Sequence, residues 1–209
     1  MKFSAVLFDR DGTVIFDRHY LSDPAGVELI PGTGEALARL GGEGVECFLV
    51  SNQSGIGRGY FPESGWYDCQ KRLDELLALF GASLKDTRFC PHAPETACTC
   101  RKPSIGMWES LRGAHSLEAS SCAMVGDKPE DLLFGVNAGL AAAVLVLTGK
   151  GRKSAEKLGM AQESIGALEK SGGFHSLDAT LLTDGVPCST RIFVAADVRA
   201  AVEGLFGLA

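Results

Sequence analysis

Short apolar runs recur along the chain, and polar clusters close the first three of them. Ser4 to Phe8 leads into Asp9-Arg10-Asp11-Gly12-Thr13, Val45 to Val50 into Ser51-Asn52-Gln53, and Cys122 to Val125 into Gly126-Asp127-Lys128; a fourth run covers Ala141 to Leu147. Runs of this length without polar alternation predict strands buried on both faces. Between them, helical patterns cover Thr33–Leu40, Glu63–Phe80, Ile105–Ala114 and Glu130–Asn137, the last behind Pro129 as a helix-starting residue. Strands alternating with helices predict an α/β fold, a doubly wound parallel sheet. Ligands of such sheets meet the carboxyl ends of the strands, where the polar clusters fall. Further on, Gly151 to Gly173 is weakly helical, Ala179 to Ala195 suggests a hairpin around Asp184-Gly185, and residues 189–209 suggest a terminal strand and helix. The expected organisation is one domain over residues 1–209, with a core at 4–150 and an insertion-like segment at 151–188.

Composition narrows the class. A chain of 209 residues, 45% hydrophobic and 22% charged, suits one globular domain with a sizeable core. The longest apolar run, Leu140 to Leu147, has eight residues, well short of the roughly 18 of a membrane span. Asp9 and Asp11 interrupt the first apolar stretch before any cleavage site, so no secretory signal is expected and the cytoplasm is the expected location. With 20 Lys and Arg against 26 Asp and Glu, the net charge is −6, which argues against nucleic-acid and anionic-membrane partners. Seven cysteines is an odd number, and Cys90, Cys98 and Cys100 crowd around His92, which points to metal before disulfide. Cys47, Cys69, Cys122 and Cys188 are isolated and expected to act as small buried hydrophobes.

Several clusters carry candidate chemistry. Carboxylates at a strand end, such as Asp9 and Asp11, can be nucleophile, metal ligand or turn former. Asp127 and Asp131 could join Asp9 around a hard cation such as Mg²⁺, without which converging carboxylates repel. The loop Ser51 to Gly59 offers a hydroxyl, two amides and glycines to an anion. Arg101 and Lys102, just before a helix, can balance a phosphate and a carboxylate together. Cys90-Pro-His92 and Cys98-Thr-Cys100 suit a closed tetrahedral Zn²⁺ site, structural because four protein ligands leave no open position. His115, on an expected helix, reads as a surface residue.

The order of these clusters resembles the haloacid dehalogenase superfamily of phosphotransferases, with Asp9-Arg-Asp11-Gly-Thr13, Ser51, Lys102 and Gly126-Asp127-Lys-Pro-Glu-Asp131 in the places of its motifs. Within it, Ser-Asn-Gln-Ser-Gly-Ile-Gly-Arg-Gly, Cys-Pro-His and Cys-x-Cys-Arg-Lys-Pro are similar to the family of heptose 1,7-bisphosphate 7-phosphatases and histidinol phosphatases. The resemblance covers residues 4–150 and implies a Rossmann-like core without a large cap domain. It implies that Asp9 is the nucleophile, Asp11 the acid and base, and Ser51 and Lys102 the groups on the transferring oxygens. Mg²⁺ would be held by Asp9, the backbone carbonyl of Asp11 and Asp127, with Asp131 supporting the metal from behind. Asp17, Arg18, His19, Tyr20, Asn52, Gln53, Ser54, Arg101 and Lys128 would surround the substrate, although the chain carries Arg18-His19 where a His-Gly pair is expected. The implied activity is hydrolysis of the 7-phosphate of a heptose bisphosphate by a monomer, supplying lipopolysaccharide core precursors. Histidinol phosphate is the alternative substrate, and an inactive zinc-stapled binding module the alternative class.

Overall fold

The computed structural model describes residues 3–182 and 188–208. Strands β1 (Ala5–Phe8), β2 (Glu46–Asn52), β3 (Asp86–Cys90), β4 (Cys122–Gly126), β5 (Ala142–Val146), β6 (Phe174–Leu177) and β7 (Arg191–Ala195) form one sheet in the order β3-β2-β1-β4-β5-β7-β6. Neighbours are parallel except at the edge, where β6 runs antiparallel to β7.

The uniformly apolar strands follow from helices on both faces. In β1, Val6 and Phe8 enter one core with α1 (Thr33–Gly42), α3 (Glu63–Ala78) and α8 (Val198–Gly207), through Leu37, Leu73 and Val202 among others, while α2 (Ser54–Gly57) is a single turn after β2. Ala5 and Leu7 enter the opposite core with α4 (Gly106–His115), α5 (Pro129–Asn137), α6 (Gly151–Lys157) and α7 (Gln162–Ser171). All four β1 side chains are fully buried. Each large one contributes about 1.5–3 kcal/mol on leaving water, so neither face of the strand tolerates a polar residue. α5 starts where Pro129 can donate no amide and where the Asp131 carboxylate accepts from the Lys128 N–H at 3.0 Å.

Two elements differ from expectation. β3 carries Asp86 and Arg88 on an edge strand only partly buried, and such charges blunt edge-to-edge pairing at the cost of an apolar signal. The antiparallel arm facing β7 is Phe174–Leu177, upstream of Ala179, because Ala179–Leu181 forms a single 3₁₀ turn. The expected turn at Asp184-Gly185 lies outside the described residues.

From β1 the chain winds outward through β2 to β3, then returns to place β4 on the other side of β1. That reversal opens a crevice at the carboxyl ends of β1 and β4, the usual ligand position in open α/β sheets. Among the described residues no helix is long and apolar enough to cross a membrane.

Candidate active site

Asp9 follows β1 directly and is buried. Lys102 reaches it from the segment before α4, donating from Nζ to Asp9 Oδ1 at 2.7 Å and to the Val50 carbonyl at 2.7 Å, while lying 2.7 Å from Asp131 Oδ1. Its backbone is fixed as well: Lys102 N donates to Asn52 Oδ1 at 3.0 Å, and Asn52 Nδ2 donates to the Lys102 carbonyl at 3.1 Å. Burial disfavours the ammonium, yet Asp131 and Asp9 outweigh it and hold Lys102 above its ordinary pKa. Burial likewise opposes ionisation of Asp9, but Lys102 and Lys128 hold that carboxyl down at about 2. An ionised, desolvated carboxylate at a strand end is equipped as a nucleophile.

Asp127, after β4, faces the same point. Its Oδ2 accepts from Lys150 N at 2.8 Å, whereas Oδ1 is buried without a hydrogen-bond partner. Burial pushes this carboxyl up to about 7, a rise that Lys128 opposes and that Asp9 and Asp131 reinforce. Carboxylate oxygens of Asp9, Asp127 and Asp131 lie within 4.8 Å of one another. The Lys128 ammonium already stands between two of them, 3.5 Å from Asp9 Oδ2 and 3.2 Å from Asp127 Oδ1. A buried all-oxygen set fits a hard divalent cation. Gly12 makes the approach possible: its φ is 93°, and a Cβ there would stand 2.2 Å from Asp127 Oδ2.

These groups open onto a cavity of about 700 Å³ lined by Asp9, Asp11, Ser51, Lys102, Lys128 and Lys150, among others. Asp17, His19, Tyr20, Ser54 and Arg101 also line it. Arg18 is not among the lining residues; its guanidinium pairs with Glu28 at 2.5 Å and lies over the Phe16 ring. Asn52 and Gln53 line the cavity as well, and their polar atoms also brace the machinery: Asn52 clamps Lys102, and Gln53 Nε2 donates to Asp11 Oδ2 and Ser51 Oγ, each at 2.7 Å. His19 and Tyr20 both adopt left-handed backbone, with φ of 51° and 56°, so His19 occupies a conformation suited to the glycine expected there.

Two basic residues escaped the sequence reading. Arg10, between the two carboxylates of the first cluster, is buried and bound to Asp11. Continuing the two-residue alternation of Val6 and Phe8 to position 10 would have pointed to it. Lys150 holds Asp127 through its backbone and pairs with Asp17 at 3.4 Å through Nζ. No local motif marks it, because its part is played by a main-chain N–H.

The cysteine cluster assembles beside the cavity. Sγ of Cys90, Cys98 and Cys100 and a ring nitrogen of His92 lie within 4.8 Å of one another, with Cys90–Cys98 at 3.7 Å and His92–Cys100 at 3.3 Å. Zn–S bonds of about 2.3 Å arranged tetrahedrally separate the sulfurs by about 3.8 Å, so the cluster is able to hold a metal such as zinc. The other four cysteines are free thiols, with Cys47, Cys69 and Cys122 buried and Cys188 partly exposed. His115, at the end of α4, is bound to Asp86 at 2.7 Å.

An α/β sheet with paired carboxylates, a buried lysine and a set of oxygens able to hold a cation at its switch point fits the haloacid dehalogenase resemblance. Residues 99–165 match the family described as HAD-hyrolase-like. The D-glycero-beta-D-manno-heptose-1,7-bisphosphate 7-phosphatase of Haemophilus ducreyi is 40% identical over 153 residues, 70% of this chain and 84% of that protein. Its counterpart in Pasteurella multocida is 38% identical over 177 residues, 79% of this chain and 95% of that protein. The crystal structure of a D,D-heptose 1,7-bisphosphate phosphatase from B. bronchiseptica, complexed with magnesium and phosphate, superposes with a TM-score of 0.77 at 30% identity, covering 100% of both chains. The chain belongs to the heptose-1,7-bisphosphate 7-phosphatase family of HAD-like hydrolases.

Proposed function

We propose that this chain removes the 7-phosphate of D-glycero-D-manno-heptose 1,7-bisphosphate through an aspartyl-phosphate on Asp9. The observation that carries the chemistry is the buried Asp9, held ionised by Lys102 at 2.7 Å and open to the cavity. The relatives' names carry the substrate.

An oxygen of Asp9 attacks phosphorus as the bond to the sugar oxygen breaks. Asp11 gives its proton to that departing oxygen, then takes one from the water that releases phosphate from Asp9. Ser51 and Lys102 hold the transferring oxygens. Asp131 keeps the Lys102 ammonium in place and caps α5 at once. Asp9, Asp127 and the backbone carbonyl of Asp11 would hold Mg²⁺. When bound, that ion offsets the charge between nucleophile and phosphate. Lys128, Arg101 and Lys150 give the cavity the positive charge a bisphosphate needs, and Asp17, His19, Tyr20 and Ser54 complete its walls. The same reading takes residues 1–209 as one phosphatase domain acting as a monomer in the cytoplasm. The single sheet supports the one-domain part of this reading, since β7 pairs with β5. A free-thiol cysteine set fits a reducing compartment.

Purified enzyme, assayed with both anomers of the heptose bisphosphate, histidinol phosphate and an aryl phosphate, should prefer a heptose bisphosphate by kcat/KM. Asp9→Asn should lose more than about a thousandfold in turnover while remaining folded. Preference for histidinol phosphate would refute the substrate, and an active Asp9→Asn would refute the intermediate.

A further inference from the structure

Arg10 is 1% exposed, and among the described residues its one ion pair is with Asp11. Nε donates to Asp11 Oδ2 at 3.1 Å, and Nη2 donates to Asp11 Oδ1 and to Gln53 Oε1, each at 3.3 Å. Nη1 is buried without a partner. The guanidinium carbon lies 5.9 Å from the centre of the Trp66 ring, which stacks on Phe89 at 3.9 Å, next to the cysteine ligand Cys90. A buried guanidinium with one arm unpaired costs stability, and an apolar side chain of like volume is often neutral or better in its place. Packing therefore does not explain an arginine here, whereas the geometry at Asp11 does.

Asp11 Oδ2 accepts from Arg10 Nε and, at 2.7 Å, from Gln53 Nε2. Two donors fill the in-plane lone pairs of a carboxylate oxygen. Oδ1 has a single long contact, to Arg10 Nη2 at 3.3 Å. We propose that Arg10 is a positioning residue: with Gln53 it saturates Oδ2 of Asp11, fixes the carboxyl plane, and leaves Oδ1 as the oxygen that handles the proton. In the first step the Oδ1 proton passes to the sugar oxygen as its bond to phosphorus breaks and the Asp9 oxygen–phosphorus bond forms. In the second, Oδ1 receives a proton from water as the water oxygen bonds to phosphorus and Asp9 is released. The planar fork of arginine is what this demands, since lysine supplies the charge as a single point without the fixed plane.

The proposal rests on the reading of Asp11 as acid and base, and the experiment separates the two. Arg10→Lys, Arg10→Met, Gln53→Leu and Asp11→Asn are compared on heptose bisphosphate, whose alkoxide leaving group needs a proton, and on p-nitrophenyl phosphate, whose leaving group does not. Gln53→Leu leaves the buried charge in place, so the series stays informative if either Arg10 variant folds poorly. In single-turnover bursts that report leaving-group release, both Arg10 variants should lose about tenfold or more on the sugar phosphate and less than about threefold on the aryl phosphate, and Gln53→Leu should show the same selectivity more weakly; the later attack by water, which uses Oδ1 for both substrates, lies outside that readout. Equal losses on both substrates, or no loss in folded variants, would overturn the role of Arg10 while selectivity in Asp11→Asn left the acid assignment standing. Equal losses in Asp11→Asn would remove the acid assignment and this proposal with it.

Discussion

Replacing Lys102 with methionine separates what its ammonium does for the fold from what it does for the reaction. The chain length of the side chain is kept and its charge removed, leaving Asp9 Oδ1, Asp131 Oδ1 and the Val50 carbonyl without the donor that lies 2.7 Å from each. Lys128 is still present, but at 3.5 Å from the other oxygen of Asp9 and without contact to Asp131 Oδ1 it replaces little. Stranding a buried carboxylate costs about 3–5 kcal/mol, which at about 2–4 °C per kcal/mol for a chain of this size lowers Tm by about 6–20 °C. Melting curves of wild type and Lys102→Met at pH 7, without added Mg²⁺, measure it. The cycle with Asp131→Asn sharpens the test: removing one of the stranded carboxylates should recover part of the loss, with a coupling of about 0.5–3 kcal/mol. A fall in Tm below about 2 °C, or strictly additive variants, would refute the claim that this lysine holds the carboxylates together.

Other perturbations reach the remaining parts of the site. Elemental analysis should find about one zinc per chain, and Cys98→Ser should lower both Tm and turnover with Mg²⁺ restoring neither, because Arg101 and Lys102 directly follow Cys100, the last residue of the cluster able to hold the metal; a metal-free wild type with full activity would show the cysteines to be incidental. Arg101→Ala should reduce kcat/KM for a sugar bisphosphate more than for a small monophosphate, since its side chain lines the cavity; a uniform loss would place it at the reacting phosphate or in folding. His19→Gly should raise stability by about 0.5–1 kcal/mol, the relief of left-handed strain exceeding the added freedom of the unfolded chain, as read by urea denaturation; destabilisation would mean the imidazole contributes more than its backbone costs.

The sequence reading was strongest where one physical constraint acted alone. Doubly covered strands must be apolar throughout, so β1, β4 and β5 stood out, and with them the carboxylates they deliver. The edge strand β3 was missed because solvent on one side relaxes that constraint and lets Asp86 and Arg88 in. At the site, the clusters were legible because thiolates, imidazole and carboxylates at short spacing are rare in company. What each polar atom does was less so. Nothing in the sequence shows that Asn52 and Gln53, besides lining the cavity, brace Lys102 and Asp11; that comes only from the fold. Arg18 is similar: nothing in its loop pointed to Glu28, ten positions on, with which its guanidinium pairs.

The brace on Asp127 has a consequence for how catalytic competence arises. Lys150 N and Ser154 Oγ, at the entry to α6, hold this acid from 23 and 27 positions further along the chain, while Lys102 reaches back 93 positions to Asp9. No contiguous stretch of polypeptide therefore contains a working fragment of the site. Contacts so distant in sequence form late, after the entropy of closing large loops has been overcome. Turnover is thus an all-or-none property of the assembled sheet, and a species with its helices formed but α6 undocked would be rich in secondary structure and chemically silent.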